Sequence, residues 1–287
     1  MCGRYASARK RIELLEEFSV QSDRVPEPLA PDYNVAPTKA VYAVMTRQPD
    51  DRDGAADPDG GPDRAAEAGE GGPQRQLRIV RWGLVPFWAK DVKIGSRMIN
   101  ARAETVAEKP AFRRAFAQRR CLLPADGYYE WQQAEGRKQP IYISRSDGRS
   151  LAFAGLYELW RDPTVPPDDP ETWLWTSTVI TTSAPDDLGH IHDRMPMVID
   201  PASWEDWLDP RNHEVSDLQS LLAPAAASGL RTYPVSTAVN AVRNNGPSLI
   251  EPIEPGHPGP ATPSATGAAA ARGYGAAFRD AGDGALF

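Results

Sequence analysis

Between residues 120 and 182 the chain holds five runs of apolar, β-branched and aromatic residues, at 120–124, 127–132, 139–145, 151–159 and 172–182. No long helical crossover separates them, so neighbouring strands must pair antiparallel or in a mixed sheet. Two further strand-like runs, "AVYAVMT" (40–46) and "LRIVRWGL" (77–84), and a third, "MPMVID" (195–200), extend the pattern. Helical signals are few and short. Residues 7–18 read as an amphipathic helix with Ser7 as N-cap and Ile12, Leu15 and Phe18 on one side. "KPAFRRAFAQ" (109–118) has Pro110 in its first turn and Phe112 and Phe116 on one face. "DPASWEDWL" (200–208) begins with Asp200 as cap and Pro201 at the first position. The expected fold class is α+β: a mainly antiparallel or mixed sheet forming a barrel-like core, with short flanking helices.

One stretch cannot belong to that core. "QPDDRDGAADPDGGPDRAAEAGEGGPQRQ" (48–76) has no aromatic and no aliphatic larger than alanine, so burial cannot offset its ordering entropy. It reads as a disordered acidic insertion between two strands, and residues 255–287 read as a flexible tail. The remainder, residues 2–250, is expected to be a single domain, and no internal repeat is visible. The net charge of −7 is concentrated in residues 48–76, with eight acids against three arginines, and residues 251–287, with four acids against two arginines. The globular remainder is therefore neutral on average, and residues 97–120 carry seven Lys/Arg against two Glu. That run is either an ordinary solvated face or a phosphate track. No apolar run reaches the roughly 20 residues of a membrane span, and no secretory signal is present, so a cytoplasmic protein is expected. Two cysteines, Cys2 and Cys121, cannot build a disulfide framework.

Cys2 sits directly after the initiator methionine. If Met1 is removed, this residue offers an α-amine and a thiol on adjacent carbons. With a pKa near 7.8, roughly a quarter of such amines are free at pH 7.4, against about one lysine in a thousand. A free amine attacks an aldehyde to give an imine, and the thiol can close a five-membered thiazolidine on the same carbon. Residue 2 being cysteine by chance is the plain alternative. Glu130, in "GYYEW", is either a partly desolvated general acid–base or a solvent-facing strand residue. His190 and His192 precede a strand; one could move protons near neutral pH, or both could be loop residues. "SRMINARAET" offers Asn100 and Arg102 in a polar turn, and "RWGLVPFWAK" places two Trp that are either core or a wall for a stacked base. Zinc held by His190, His192, Cys2 and Cys121 would lack any paired-cysteine spacing, so no metal and no cofactor is expected. Phosphate-loop, dinucleotide and nucleophile-elbow motifs are absent.

Eight segments occur in a set order: "MCGRYA", "YNVAPT", "RWGLVPFWA", "INARAET", "RCLLPADGYYEW", "FAGLYELW", "TVITTSA" and "HDRMPMVI". Together they resemble the SRAP family, named for SOS-response-associated peptidase, which has bacterial and vertebrate members. The resemblance spans about residues 2–240. It implies a DNA-damage-response protein that binds single-stranded DNA and cross-links abasic sites, shielding them from strand cleavage. By motif, Cys2 is the nucleophile, exposed by loss of Met1. Asn100 holds the amine or adduct, Glu130 helps open the sugar ring, and His192 assists imine formation; His190 fits the motif less well. Arg4, Arg102 and Arg194 would contact phosphates, and Trp82 and Trp131 would pack on nucleotides or shape the cleft.

Two other readings stay open. One is a peptidase with an N-terminal nucleophile, whose self-processing removes Met1; the other is a non-covalent reader of modified bases. A monomer is expected, nucleoid-associated when bound to DNA. The final Leu286–Phe287 either dock into a partner such as a replication sliding clamp or are a meaningless terminus.

Overall fold

The computed structural model describes residues 2–47, 72–134, 136–166, 169, 172–222 and 229–253. The tail and most of the acidic insertion, including the proposed clamp-docking Leu286 and Phe287, lie outside the described residues. In chain order the strands are β1 (Tyr5–Ser7), β2 (Ser22–Asp23), β3 (Asp32–Val35), β4 (Ala40–Arg47), β5 (Gln74–Trp82), β6 (Asn100–Arg102), β7 (Arg120–Ala125), β8 (Gly127–Ala134), β9 (Arg137–Arg145), β10 (Leu151–Arg161), β11 (Trp173–Ser183), β12 (Arg194–Pro196) and β13 (Leu230–Pro234). The helices are α1 (Arg11–Glu17), α2 (Arg113–Gln118), α3 (Asp186–Gly189), α4 (Trp204–Leu208) and α5 (Val215–Ser220). Each is under two and a half turns, so packing rather than propensity holds them.

Strands β11, β10, β7, β4 and β5 pair in that order, and β5 returns to β11 through Thr176↔Arg81 and Ser177↔Trp82. This closes a five-stranded barrel, mostly antiparallel with one parallel seam, and removes the free edges an open sheet would present. A second sheet runs β13–β9–β8–β1–β3, with the short β1 in its interior. The chain passes from barrel to second sheet at Asp126, between β7 and β8. One core cluster joins alternate residues of the barrel strands, such as Val41, Val80, Cys121 and Phe153, to Cys2, Tyr5 and Tyr128 at the second sheet. A second cluster packs α1, α2, α4 and α5 on the barrel's outside, where Phe18 stacks on Trp204 at 4.5 Å. The α+β, barrel-like expectation therefore holds.

Several boundaries move. Residues 7–18 are not one helix: Ser7 ends β1, Lys10 is the N-cap, and its amide donates to Glu13 Oε2 at 2.8 Å. Leu14 and Phe18, four residues apart, form the buried face, and Ile12 is 66% exposed. The second helix starts at Arg113 instead of Lys109, and the strand expected at 195–200 is only Arg194–Pro196 followed by an isolated bridge at Val198. Gln74–Gln76, assigned above to the insertion, are already strand β5, paired with Thr46, Arg47 and Met45.

Two of the seven cations in 97–120 are structural. Arg119 is buried in an ion pair with Glu158 at 2.8 Å. Arg120 donates to the carbonyls of Phe116, Ala117, Trp207, Asp209 and Asn212, bolting α2 and the end of α4 to β7. Neither belongs to a phosphate track, because a buried charge this well paired cannot be withdrawn without a cost of roughly 3–5 kcal/mol. Arg97, Arg102, Lys109 and Arg113 stay exposed.

Candidate functional site

Strand pairing brings the chain's start to the middle of the fold. β1 lies antiparallel to β8 with Tyr5 opposite Tyr128, and the Tyr129 amide donates to the Arg4 carbonyl at 3.0 Å. Continuing this register carries residues 2–3 alongside Glu130. Cys2 is fully buried among Tyr5, Trp82, Tyr128 and Phe153. Burial pushes its thiol pKa up, and the negative charge of Glu130 adds to that, so the thiol stays protonated.

Asn100 arrives from a different direction. Gly83 has φ +127°, and a Cβ there would stand 2.6 Å from the Gly95 oxygen; one on Gly95 would stand 2.5 Å from the Gly83 oxygen. Only two glycines let these backbones pass so closely. Their contact holds the 3₁₀ turn Val92–Arg97 against the end of β5 and delivers β6 beside β11, with Asn100 level with Val179. There Asn100 Nδ2 donates to the Cys2 carbonyl at 2.8 Å, and its Oδ1 is buried without a hydrogen-bond partner. The amide thus holds the residue that would carry the reacting amine and keeps one acceptor in reserve.

Glu130 is 4% exposed, and burial raises its carboxyl pKa to about 7. The cause is not its sequence neighbours. Strand alternation puts Tyr128 and Glu130 on the Cys2 side of β8, and Tyr129 and Trp131 on the opposite side with Tyr142 and Val239. The charge of Asp193 raises the Glu130 pKa further. A carboxyl poised near neutrality can give or take a proton at physiological pH.

His192 follows α3, whose loop packs onto the Cys2 cluster through Leu188, Ile191 and Met195. Its Nδ1 lies 3.0 Å from the Arg194 amide and 2.8 Å from Asp193 Oδ1. These contacts belong to different states: a neutral Nδ1 accepts from the amide, and a protonated one donates to the carboxylate. Burial lowers the His192 pKa, which favours the neutral ring with its proton on Nε2. His190 is exposed, in line with its weaker match to the motif. Among the described residues no group of three or more His, Cys, Asp or Glu could hold a metal ion. The Cys121 thiol is buried and its pKa also raised by burial.

The five residues expected to meet DNA have different fates. Arg102 is exposed. Trp82 has no exposed surface; its Nε1 donates to the Ile99 carbonyl and its ring packs edge-on to Tyr5 at 5.2 Å. It therefore shapes the site from beneath, and no base can stack on it. Trp88 in the same motif is 49% exposed and Phe87 45%, with the Arg114 guanidinium over the Phe87 ring at 4.7 Å. Arg4 and Trp131 lie together on the far side of the second sheet from Glu130. Arg4 Nη1 donates to Asn34 Oδ1 at 2.7 Å and to the Val239 carbonyl at 2.8 Å, its guanidinium sits 5.9 Å over Trp131, and Trp131 Nε1 donates to Asn240. Arg194 is bidentate to Glu104, at 2.6 and 3.0 Å. Asn34 and Glu104 stand in the quoted motifs with no role assigned above, and Asn240 lies outside them. Their roles depend on contacts 30, 109 and 90 residues apart in sequence, which no local pattern encodes.

No helix among the described residues is long and apolar enough to cross a membrane. Comparison with known proteins matches residues 1–242 to the family described as SOS response associated peptidase (SRAP). The abasic site processing protein YoqW of Bacillus subtilis (strain 168) is 38% identical over 252 residues, covering 88% of this chain and 99% of that one. The abasic site processing protein HMCES of Gallus gallus is 33% identical over 251 residues, 79% of this chain and 68% of its own. A solved structure of a protein from Bacteroides thetaiotaomicron superposes with a TM-score of 0.68 at 25% identity, covering 88% of this chain and 100% of that one. A family match over most of the length, joined to this barrel and this Cys2–Asn100 contact, leads to one conclusion: the chain belongs to the SRAP family.

Proposed function

We propose that this protein processes abasic sites in DNA, as its relatives are named for doing, and that it does so by covalent capture on single strands. The observation that carries the reading is the hydrogen bond from Asn100 to the Cys2 carbonyl, made beside a carboxyl whose pKa lies near 7. Once Met1 is removed, the Cys2 amine is held where Glu130 can protonate the ring oxygen of the closed sugar and release its aldehyde. The amine adds to the aldehyde carbon and water leaves, giving an imine. His192 moves protons between the amine and the departing hydroxyl. The Cys2 sulfur then bonds to the imine carbon, and the thiol proton ends on nitrogen. Closing the thiazolidine consumes the imine that would otherwise promote elimination and strand cleavage. The buried, protonated thiol suits this order, because the amine attacks first and the sulfur second.

Arg102, the other exposed cations of 97–120, and the Phe87–Trp88 rim supply the strand-binding face: phosphate neutralisation beside stacking surfaces. Single-stranded substrate avoids the cost of unpairing. The test is a denaturing gel with a single-stranded abasic oligonucleotide. A shifted band that disappears in Cys2→Ala supports the reading. No adduct from protein shown by mass spectrometry to begin at Cys2 would falsify it, and cleavage of an added peptide in trans would favour the peptidase instead.

A further inference from the structure

Arg194 holds the Glu104 carboxylate in the same forked geometry in which a guanidinium would hold a phosphate. Its Nη1 donates to Glu104 Oε1 at 2.6 Å and its Nη2 to Oε2 at 3.0 Å, the forked geometry by which a guanidinium takes either anion. The two partners are unequally fixed. The Arg194 side chain is 14% exposed and Nη2 is also anchored on the Thr181 carbonyl at 2.7 Å; the Glu104 side chain is 49% exposed. The carboxylate is thus the exchangeable half of the pair, and the guanidinium keeps its place on the barrel when the carboxylate leaves. The charge of Arg102 acts on Glu104 as well. With Glu104 in place this rim carries a net charge of one cation; without it, two.

We infer that Glu104 is a specificity-determining residue, an internal phosphate surrogate that a strand must displace from Arg194 to be held for reaction. This rests on the DNA reading above. The pairing discriminates by number of contacts. An isolated anion gains one exchange, carboxylate for anion, and so gains little. A strand already held at Arg102 and the aromatic rim delivers its next phosphate to Arg194 at high effective concentration. Arg194 also sets the histidine, since its backbone amide is the Nδ1 partner of His192.

The pair could instead be a fixed clamp between the segment after β6 and β12, and salt dependence separates the two. The wild type, Glu104→Gln, Arg194→Ala and the double variant are compared for binding of an undamaged single-stranded oligonucleotide by fluorescence anisotropy. When a strand displaces Glu104, the freed carboxylate stays beside the strand and offsets the charge that Arg194 brings to it, so the wild-type slope falls short of one full phosphate contact. Glu104→Gln should bind several-fold tighter at low salt and steepen the slope of log K against log salt by about 0.7. Its advantage should then shrink about 2.6-fold between roughly 50 and 200 mM salt. In the Arg194→Ala background the same substitution removes only a negative charge and frees no guanidinium, so its gain should be clearly smaller there than beside Arg194. Weaker or unchanged binding by a Glu104→Gln protein that melts at the wild-type temperature overturns the inference, as does a gain that is equally large without Arg194. A wild type that binds no single strand at any salt overturns the DNA reading with it; a wild type that binds and cross-links, with no slope change in the variant, overturns this inference alone.

Discussion

Asn100 Nδ2 donates to the Cys2 carbonyl at 2.8 Å, joining residues 98 apart in sequence. The bond fixes the second residue of the chain to the barrel through β6. Asn100→Ala removes it and leaves a buried carbonyl without its donor. We expect the cross-linking rate to fall by tenfold or more with the fold retained. The rate is read as adduct formed per minute on a denaturing gel, and the fold by circular dichroism. An unchanged rate would show that Asn100 does not position the nucleophile.

Cys2 must supply two groups, and variants separate them. Cys2→Ser retains the amine and should form an imine that borohydride traps, with no stable adduct otherwise. A peptide extension that stays attached ahead of Cys2 retains the thiol but removes the free amine, and should give no adduct. Intact-mass measurement of each protein and each product decides the outcome.

Glu130 ties stability to pH. Burial raises its pKa from the usual 4.5 to about 7, so the folded state holds a proton that the unfolded chain has lost between those values. Stability should therefore fall as pH rises from about 4.5 to 7 and level off above, by an amount on the order of 2–3 kcal/mol. Glu130→Gln should remove this slope, making the variant more stable than the wild type at pH 8 and equal to it at pH 4.5. Urea unfolding at the two pH values measures the difference. The wild-type cross-linking rate should decline above pH 7, where the carboxyl gives up the proton it donates, and the same variant should cross-link more slowly and lack that decline.

Two tryptophans of one motif should respond in opposite ways. Trp82→Ala opens a void beneath Cys2 and should cost about 3–5 kcal/mol of stability. Trp88→Ala touches an exposed ring and should change stability by less than about 0.5 kcal/mol. It should weaken binding to single-stranded DNA by about 1–3 kcal/mol if a base stacks there. Thermal melts paired with binding titrations test both, and full DNA affinity in Trp88→Ala would remove the rim from the binding face.

Much of the architecture could be read from local pattern. The runs that became β7 to β11 alternate or carry β-branched residues over five or more positions, enough to show their period. β1 and β6 escaped because each has three residues, too few for any periodicity, and their strand character comes from the partners on either side. The helix start differs from the local pattern for a related reason: Ser7 is a good N-cap by type, but the β1 ladder holds it, and Lys10 with Glu13 closes the first turn instead.

Local pattern was enough for the α+β barrel class and for placing Cys2, Asn100, Glu130 and His192 among the polar candidates, and the ordered motifs of the resemblance singled those four out. Which arginines and tryptophans face outward depends on long-range packing. Arg102 and Arg194 share one motif chemistry, yet one is exposed and the other holds Glu104. Trp82 and Trp88 stand six residues apart, yet one is fully buried beside Tyr5 and the other is half exposed. Exposure is set by what packs against a residue from distant parts of the chain. The same holds for the carboxyl pKa of Glu130, which is raised by the buried side of β8 and not by the aromatic residues beside it in sequence.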